Sequence, residues 1–397
     1  MTTIGGVPTG LGFELTDVQK ALREEVLALS RRFDPDYWLR KDGSGDYPWE
    51  FVRAFAERGW LGAIIPEAYG GAGLGMVDAS LILNAICVAG AGTSGASPIH
   101  FFVFPPAPVV RFGSEEMKRR DLPRIAKGEL MMAFGVTEPN AGSDTSRIET
   151  RAQLHDGTWF VNGQKIWTTN AQNAEKILLL ARTAPRDERR PFHGLTLFFT
   201  DLDRARCTIR RIDKLGRAAV DSNEVFIRDL EVPEADVVGE VGRGFYHLIE
   251  ALNPERIVIA MEATGIGRAA VDMACRYAKD RIVFDRPIGA NQSIAHPLAR
   301  AWAALEAAEL LALKAAWMYD AGLECGAEAN SAKYLAAEAG FEACDRALQT
   351  FGGFGYAREY HIERLWREVR LYRLAPLSQE MALNFVAHNV LGLPKSY

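Results

Sequence analysis

Apolar residues along this chain change their period twice. From Leu15 to about Leu130 they recur at helical spacing. Thr16 and Gln19 form a capping box ahead of the run Val18–Leu29. Further helices are expected over Trp49–Arg58, Val77–Val88 and Glu115–Ile125, with Gly- and Pro-rich links such as Pro66–Gly75 between them. From Met131 to about Val241 the period shortens. Strands are expected at Trp159–Val161, Ile177–Leu180, Gly194–Phe199, Cys207–Ile209 and Glu224–Ile227, and Asp156-Gly157 and Asn162-Gly163 read as hairpin turns. From Phe245 onward helical spacing returns, predicting long helices over Phe245–Arg281, Ser293–Gly322 and Glu328–Thr350. The pattern predicts an α+β chain that is mostly α, in three parts: a helical domain over 1–130, a small β-domain over 131–241 and a helical bundle over 242–397.

Composition adds limits to this picture. With 397 residues, 48% hydrophobic and 24% charged, the chain can hold two or three domains and bury a large cofactor. A net charge of −5 without a basic run weighs against nucleic acid as a partner. Cys87, Cys207, Cys275, Cys325 and Cys344 form no C-x-x-C pair and read as reduced thiols, not as disulfides or metal ligands. The stretch MTTIGGVPTGLGFELTD lacks the features of a secretory signal, and no run is long enough to span a bilayer. The expectation is a soluble cytoplasmic protein without a metal site.

Several stretches could carry chemistry. Gly265-Ile266-Gly267-Arg268-Ala269-Ala270 fits a dinucleotide fingerprint, but both flanks are helical, so its glycines are assigned to close helix packing. The loop Phe134–Asp144 is dense in backbone donors and small hydroxyls that could lie against a polar ring system or a pyrophosphate; a turn-rich linker explains it as well. Trp159–Asn170 reads as a hairpin whose return strand puts Trp167 and Thr169 on one face, suited to a flat heterocycle or to a barrel core. On the helix after Phe245, Leu248, Ala251, Leu252, Val258 and Ile259 form an apolar stripe that contains Glu255. A carboxylate there is either functional or ion-paired with another helix. Glu262 shares the stripe, whereas Arg256 points about 100° away from Glu255. The cluster His100-Phe101-Phe102-Val103-Phe104 shapes a pocket or fills a core.

The two stretches around Phe134–Asp144 and Trp159–Asn170 resemble the signatures of the acyl-CoA dehydrogenase family. Gln349–Tyr356, Arg364-Leu365-Trp366-Arg367-Glu368 and Arg281–Phe284 with Gln292 are similar to its later motifs, in the same order, over roughly Leu15 to Pro394. The resemblance implies a small middle β-barrel, a C-terminal four-helix bundle and FAD as cofactor. Phe134, Val136, Thr137, Trp167 and Thr169 would border the isoalloxazine ring. Gly142 and Ser143 would lie near the pyrophosphate, with Ser143 also near the acyl-CoA. Arg281, Phe284, Gln292, Gln349, Gly352 and Gly353 would reach the FAD of a neighbouring subunit in a tetramer, Ser378 would lie near the adenosine half, and Asn253 and Arg256 would contact the substrate.

The implied reaction removes a proton next to the thioester carbonyl and passes a hydride from the adjacent carbon to flavin N5, giving a trans-2-enoyl-CoA. Electrons then go to an electron-transfer flavoprotein. Many relatives carry the base in a loop that here reads Ala375-Pro376-Leu377-Ser378, and Pro376 can neither act as a base nor donate an N–H. The isovaleryl-CoA and long-chain branch places its glutamate in a run similar to Glu255-Arg256-Ile257-Val258-Ile259-Ala260, which nominates Glu255. Branched or longer acyl chains are expected. No arginine lies between Asn84 and Val110 to hold a distal carboxylate. An oxidase or monooxygenase on the same fold, and an acyl-CoA-binding relative without catalysis, are the competing readings.

Overall fold

The computed structural model describes residues 3–4, 7–8, 14–250 and 252–395. A short antiparallel pair, β1 (Thr3–Ile4) and β2 (Val7–Pro8), precedes α1 (Asp17–Ser30). Thr16 caps α1, with both bonds of the expected capping box present. The helices α2 (Pro35–Ser44), α3 (Trp49–Ala56), α4 (Met76–Val88), α5 (Gly92–His100), α6 (Ala107–Phe112) and α7 (Glu115–Ala126) follow. Of these, α2, α5 and α6 escape the periodicity. In α5 the cause is plain, because every residue of GTSGASPIH is buried and no alternation of faces is left to detect.

The middle region contains β3 (Met132–Gly135), β4 (Arg151–His155), β5 (Thr158–Thr169), β6 (Lys176–Arg182), β7 (Leu195–Asp201), β8 (Cys207–Arg211) and β9 (Ser222–Pro233). Strand β3 runs parallel to β6, β6 meets β4 at Arg182 and Arg151, β4 pairs β5, and β5 returns to β3 through Thr169 and Phe134. The ring of pairings closes, as in a small barrel. Residues such as Val161, Ile177, Leu179, Phe198 and Val225 fill its own core. Alternate residues of the same strands, Leu178, Leu180, Leu197 and Phe199, join the helical core instead.

The two turn dipeptides behave differently. Asp156 (φ 48°) and Gly157 (φ 77°) form the tight turn between β4 and β5, as expected. Asn162-Gly163 is not a turn, and Trp159–Asn170 is not a hairpin. Both dipeptide residues lie inside the single strand β5, at a bulge between Val161 and Gly163. A Cβ on Gly163 would come 2.6 Å from Thr150 Cα, so close backbone approach explains the glycine. The Asn162 side chain exchanges two hydrogen bonds with Asp229, spending the polar group that suggested a turn.

Beyond Val241 come α8 (Gly244–Glu250), α9 (Leu252–Asp280), the hairpin β10 (Ile282–Val283) and β11 (Arg286–Pro287), α10 (Gln292–Asp320), α11 (Gly326–Phe351), α12 (Ile362–Val369) and α13 (Gln379–Phe385). Ala251, included above in the apolar stripe, lies outside the described residues, as does most of the N-terminal stretch read for a signal. Three long helices, α9, α10 and α11, make the bundle, with the shorter α12 and α13 packed on α11. Among the described residues, no helix is long and apolar enough to cross a membrane. Helix α9 is the hub, touching α4, α10 and α11. Its glycines permit that closeness. A Cβ on Gly265 would meet Asn84 O at 2.7 Å, and one on Gly267 would meet Gly340 Cα at 3.2 Å. Gly265→Val is expected to cost about 1–3 kcal/mol through overpacking. A shift of the urea midpoint to lower concentration would show it, and an unchanged midpoint would mean that α4 and α9 have room to spare.

Candidate active site

Glu255 sits in the first turn of α9 and is buried. Its neighbour in space is His100, the last residue of α5, whose Nε2 lies 2.9 Å from Glu255 Oε2. The other ring nitrogen, Nδ1, lies 2.8 Å from Oε1 of Glu262, two turns further along α9. Tyr372 donates its hydroxyl to Glu262 Oε2 at 2.5 Å. An imidazole with a carboxylate at each nitrogen donates from both when it is protonated. Burial alone would lower the His100 pKa, but Glu255 and Glu262 outweigh it and raise the pKa to about 10. The partner that the apolar stripe demanded therefore exists, and it is a histidine from another helix. Arg256 turns away, as the helical geometry predicted, and donates to Asn253 Oδ1 at 2.8 Å. Burial lowers its pKa to about 10.

Two of the flavin-bordering candidates meet each other and connect to this cluster through intervening side chains. Phe134 on β3 and Thr169 on β5 are cross-strand partners. The Phe104 ring lies 5.1 Å from Phe134 and 6.2 Å from His100, linking the strand pair to the carboxylate cluster. Arg217, from the loop between β8 and β9, makes a second link. It donates to Thr169 Oγ1 at 3.3 Å, Ser222 Oγ at 3.1 Å and Ser97 Oγ at 3.5 Å. The segment Asn84–Val110 supplies no arginine, yet the fold brings one to α5 from another domain.

Trp167 departs from the strict alternation expected of it. A second bulge between Lys165 and Thr168 gives Trp167 a φ of 59° and leaves it 54% exposed, while Thr169 is only 9% exposed. A large ring held outward at positive φ is costly unless something covers it. The adjoining loop is strapped to β5. Ile166 N donates to Thr137 O at 2.9 Å, and buried Lys165 donates to Val136 O at 3.0 Å and Glu138 Oε1 at 2.8 Å. Glu138 also accepts from Glu149 N and Thr150 N. Burial lowers the Lys165 pKa to about 8 against the pull of Glu138. Gly142 and Ser143 remain exposed beyond this strap. A flat ring on Trp167 and a polar tail along Gly142 and Ser143 fit this surface.

A second group lies elsewhere. Arg281, Gly352 and Gly353 line a concavity of about 450 Å³, with the Arg281 guanidinium 5.6 Å from the Phe354 ring centre. Phe284, next to the tip of the β10–β11 hairpin, is 94% exposed at φ 52°. Gln292 opens α10 and Gln349 lies in the last turn of α11, both exposed and outside that concavity. Ser378 caps α13, accepting from Met381 N at 3.3 Å. Glu255 and Arg281 stand near opposite ends of α9, separated by roughly 39 Å at 1.5 Å per residue.

Family models match the chain in three blocks: the acyl-CoA dehydrogenase N-terminal domain over 16–129, the middle domain over 133–230 and the C-terminal domain over 242–391. The chain belongs to the acyl-CoA dehydrogenase family. It is 37% identical over 397 residues to the acyl-CoA dehydrogenase FadE12 of Mycobacterium tuberculosis, covering 98% of this chain and 100% of that one. A glutaryl-coenzyme A dehydrogenase in complex with glutaryl-CoA superposes with a TM-score of 0.91 at 29% identity, covering 97% of this chain and 98% of that one. The butyryl-CoA dehydrogenase of Megasphaera elsdenii gives 0.90 at 30% identity, covering 96% and 99%. The chain is thus an oxidoreductase of a flavoprotein family that acts on acyl-CoA.

Arg217, Lys165 and Glu138 join the candidate site without having been picked out by sequence reasoning, and His100 was named only as part of a cluster that shapes a pocket or fills a core. Lys165 and Glu138 carried a signal, as charged residues inside stretches otherwise suited to burial; Arg217 carried none.

Two outcomes follow for this acyl-CoA dehydrogenase. Its His100 pKa is raised above an unfolded value of about 6.5. The stabilisation it brings is complete below about pH 6.5, falls across the window and is gone above about pH 10. The Tm difference between wild type and His100→Gln should shrink over that range, and a constant difference would refute the charged pair. Lys165→Met leaves Glu138 buried without its cation and should cost about 3–5 kcal/mol. Bound FAD should fall with it, as read from the flavin absorbance of the purified protein.

Proposed function

We propose that this enzyme performs α,β-dehydrogenation of an acyl-CoA thioester with Glu255 as the base. The observation that carries the reading is a buried carboxylate, held on one oxygen by His100 and connected through His100 and the Phe104 ring to the strand pair of Phe134 and Thr169. A buried, oriented carboxylate suits removal of a weakly acidic proton next to a carbonyl. Only Oε2 of Glu255 is engaged among the described residues, so Oε1 can face the substrate. FAD, when bound, supplies the two-electron acceptor for the hydrogen on the adjacent carbon.

The protein's own groups do the rest. Trp167, Phe134, Val136, Thr137 and Thr169 hold the ring in place. Gly142 and Ser143 offer donors to the pyrophosphate and the acyl-CoA, and Asn253 with Arg256 contacts the substrate. The roughly 39 Å along α9 supports a shared site, because Arg281 and the residues around Glu255 stand near opposite ends of one rigid helix. Arg281, Phe284, Gln292, Gln349, Gly352 and Gly353 would then serve the FAD of a neighbouring subunit in a tetramer, with Ser378 near its adenosine half. The product is the trans-2-enoyl-CoA, electrons pass to an electron-transfer flavoprotein, and branched or longer chains are the expected substrates of a cytoplasmic enzyme. A binding-only reading draws on Pro376, which removes an N–H from the loop where relatives hold the thioester carbonyl.

Anaerobic titration of the FAD-loaded protein with straight, branched and aromatic acyl-CoA thioesters tests the proposal. One class should bleach the flavin in the wild type and leave it oxidised in Glu255→Gln. Spectral shifts without bleaching across the panel would favour binding alone, and bleaching that survives in Glu255→Gln would remove Glu255 as the base.

A further inference from the structure

We propose that His100 is a positioning residue for the base, an imidazolium clamp that fixes the Glu255 carboxylate from behind and is itself held by Glu262 and Tyr372. The proposal rests on Glu255 being the base.

Three buried bonds in series make the clamp: Glu255 Oε2 to His100 Nε2, His100 Nδ1 to Glu262 Oε1, and Glu262 Oε2 to the Tyr372 hydroxyl. Each member comes with its own support. His100 ends a helix that is buried throughout, so the ring cannot swing into water. Glu255 and Glu262 ride on one rigid helix, seven residues apart, which sets the gap the imidazole fills. Tyr372 anchors the far end from the 3₁₀ turn Arg370–Arg373.

The chain of bonds stops at Tyr372, which is itself buried, so it offers no path for a proton to solvent. Orientation and charge are what it provides. The other ionisable groups around it are Arg256 on α9, Arg217 from the β8–β9 loop, Cys87 on α4 and Glu368 on α12. None of them bonds Glu255, so the clamp works through His100 alone.

The test measures the rate of flavin reduction against pH in the FAD-loaded enzyme, with the acyl-CoA that bleaches the wild type as probe. His100→Gln should slow reduction about 10²-fold, the usual cost of a misplaced reacting group. Acyl-CoA affinity and FAD content should stay within about twofold, since no substrate contact is lost. The alkaline limb that the imidazolium gives the wild-type rate profile should be absent from the His100→Gln profile. In Glu262→Gln the bond to Glu255 remains but a carboxylate that keeps the imidazolium charged is lost, so the alkaline limb should move to lower pH. Combined with Glu255→Gln, His100→Gln should add nothing further.

Wild-type rates and an unmoved profile in His100→Gln, with Glu255→Gln inert, would overturn the clamp and leave the base standing. Flavin reduction in Glu255→Gln would overturn both. Should His100→Gln lose its FAD, Glu262→Gln decides: a displaced alkaline limb supports the clamp, and an unmoved one refutes it.

Discussion

Burying two glutamates on one face of α9 is a debt that α9 cannot settle alone, and the way it is settled organises the molecule. The answer comes from α5, nine residues with hardly a large side chain among them. Ser94, Ser97 and His100 fall at three-residue spacing along it, and each engages a different part of the fold. Ser94 donates to Glu368 on α12 at 2.6 Å, Ser97 accepts from Arg217 of the β-domain, and His100 sits between the two glutamates of α9. Arg364 closes the other end of α5, donating to the carbonyls of Gly90 and Ala91 and pairing with Glu368. Buried ionic groups are a poor source of net stability but are costly to break. Here they fix one arrangement of three domains around one carboxylate.

Small side chains make that arrangement possible. A Cβ on Gly92 would fall 2.1 Å from Glu368 Oε2, and one on Gly95 would meet the Trp38 ring at 3.0 Å. The same logic governs α9, where Gly265 and Gly267 let neighbouring helices approach to backbone distance. Close backbones leave little slack, so His100 reaches Glu255 without a flexible intermediary. The β-domain meets this framework through aromatic and guanidinium contacts, Phe104 on Phe134 and Arg217 on Ser97.

Much of this was legible in the sequence where a face is half-buried and a period results. The capping box of α1, the extent of α4 and α7, and the Asp156-Gly157 turn all follow from local rules. Helix α5 was not legible, because a helix buried on every side leaves no period. Asn162-Gly163 misled because a strand bulge and a hairpin turn ask for the same residues, and only the position of Thr150 separates them. Glu255 stood out on its stripe, but its partner lies 155 residues away in a cluster that reads as core aromatics. Family resemblance supplied the role proposed for Glu255, whereas the histidine that holds it comes from the fold.

The bonds of α5 span sequence separations of 274, 120, 155 and 162 residues. Contacts of that reach stabilise the fold only after the loop-closure entropy of the chain between them has been met. Until the β-domain and the C-terminal helices dock, α5 holds polar groups without partners and gains little from being a helix. The same feature makes partial unfolding unattractive, since parting α5 from the C-terminal helices strands His100 on one side and Glu255 and Glu262 on the other.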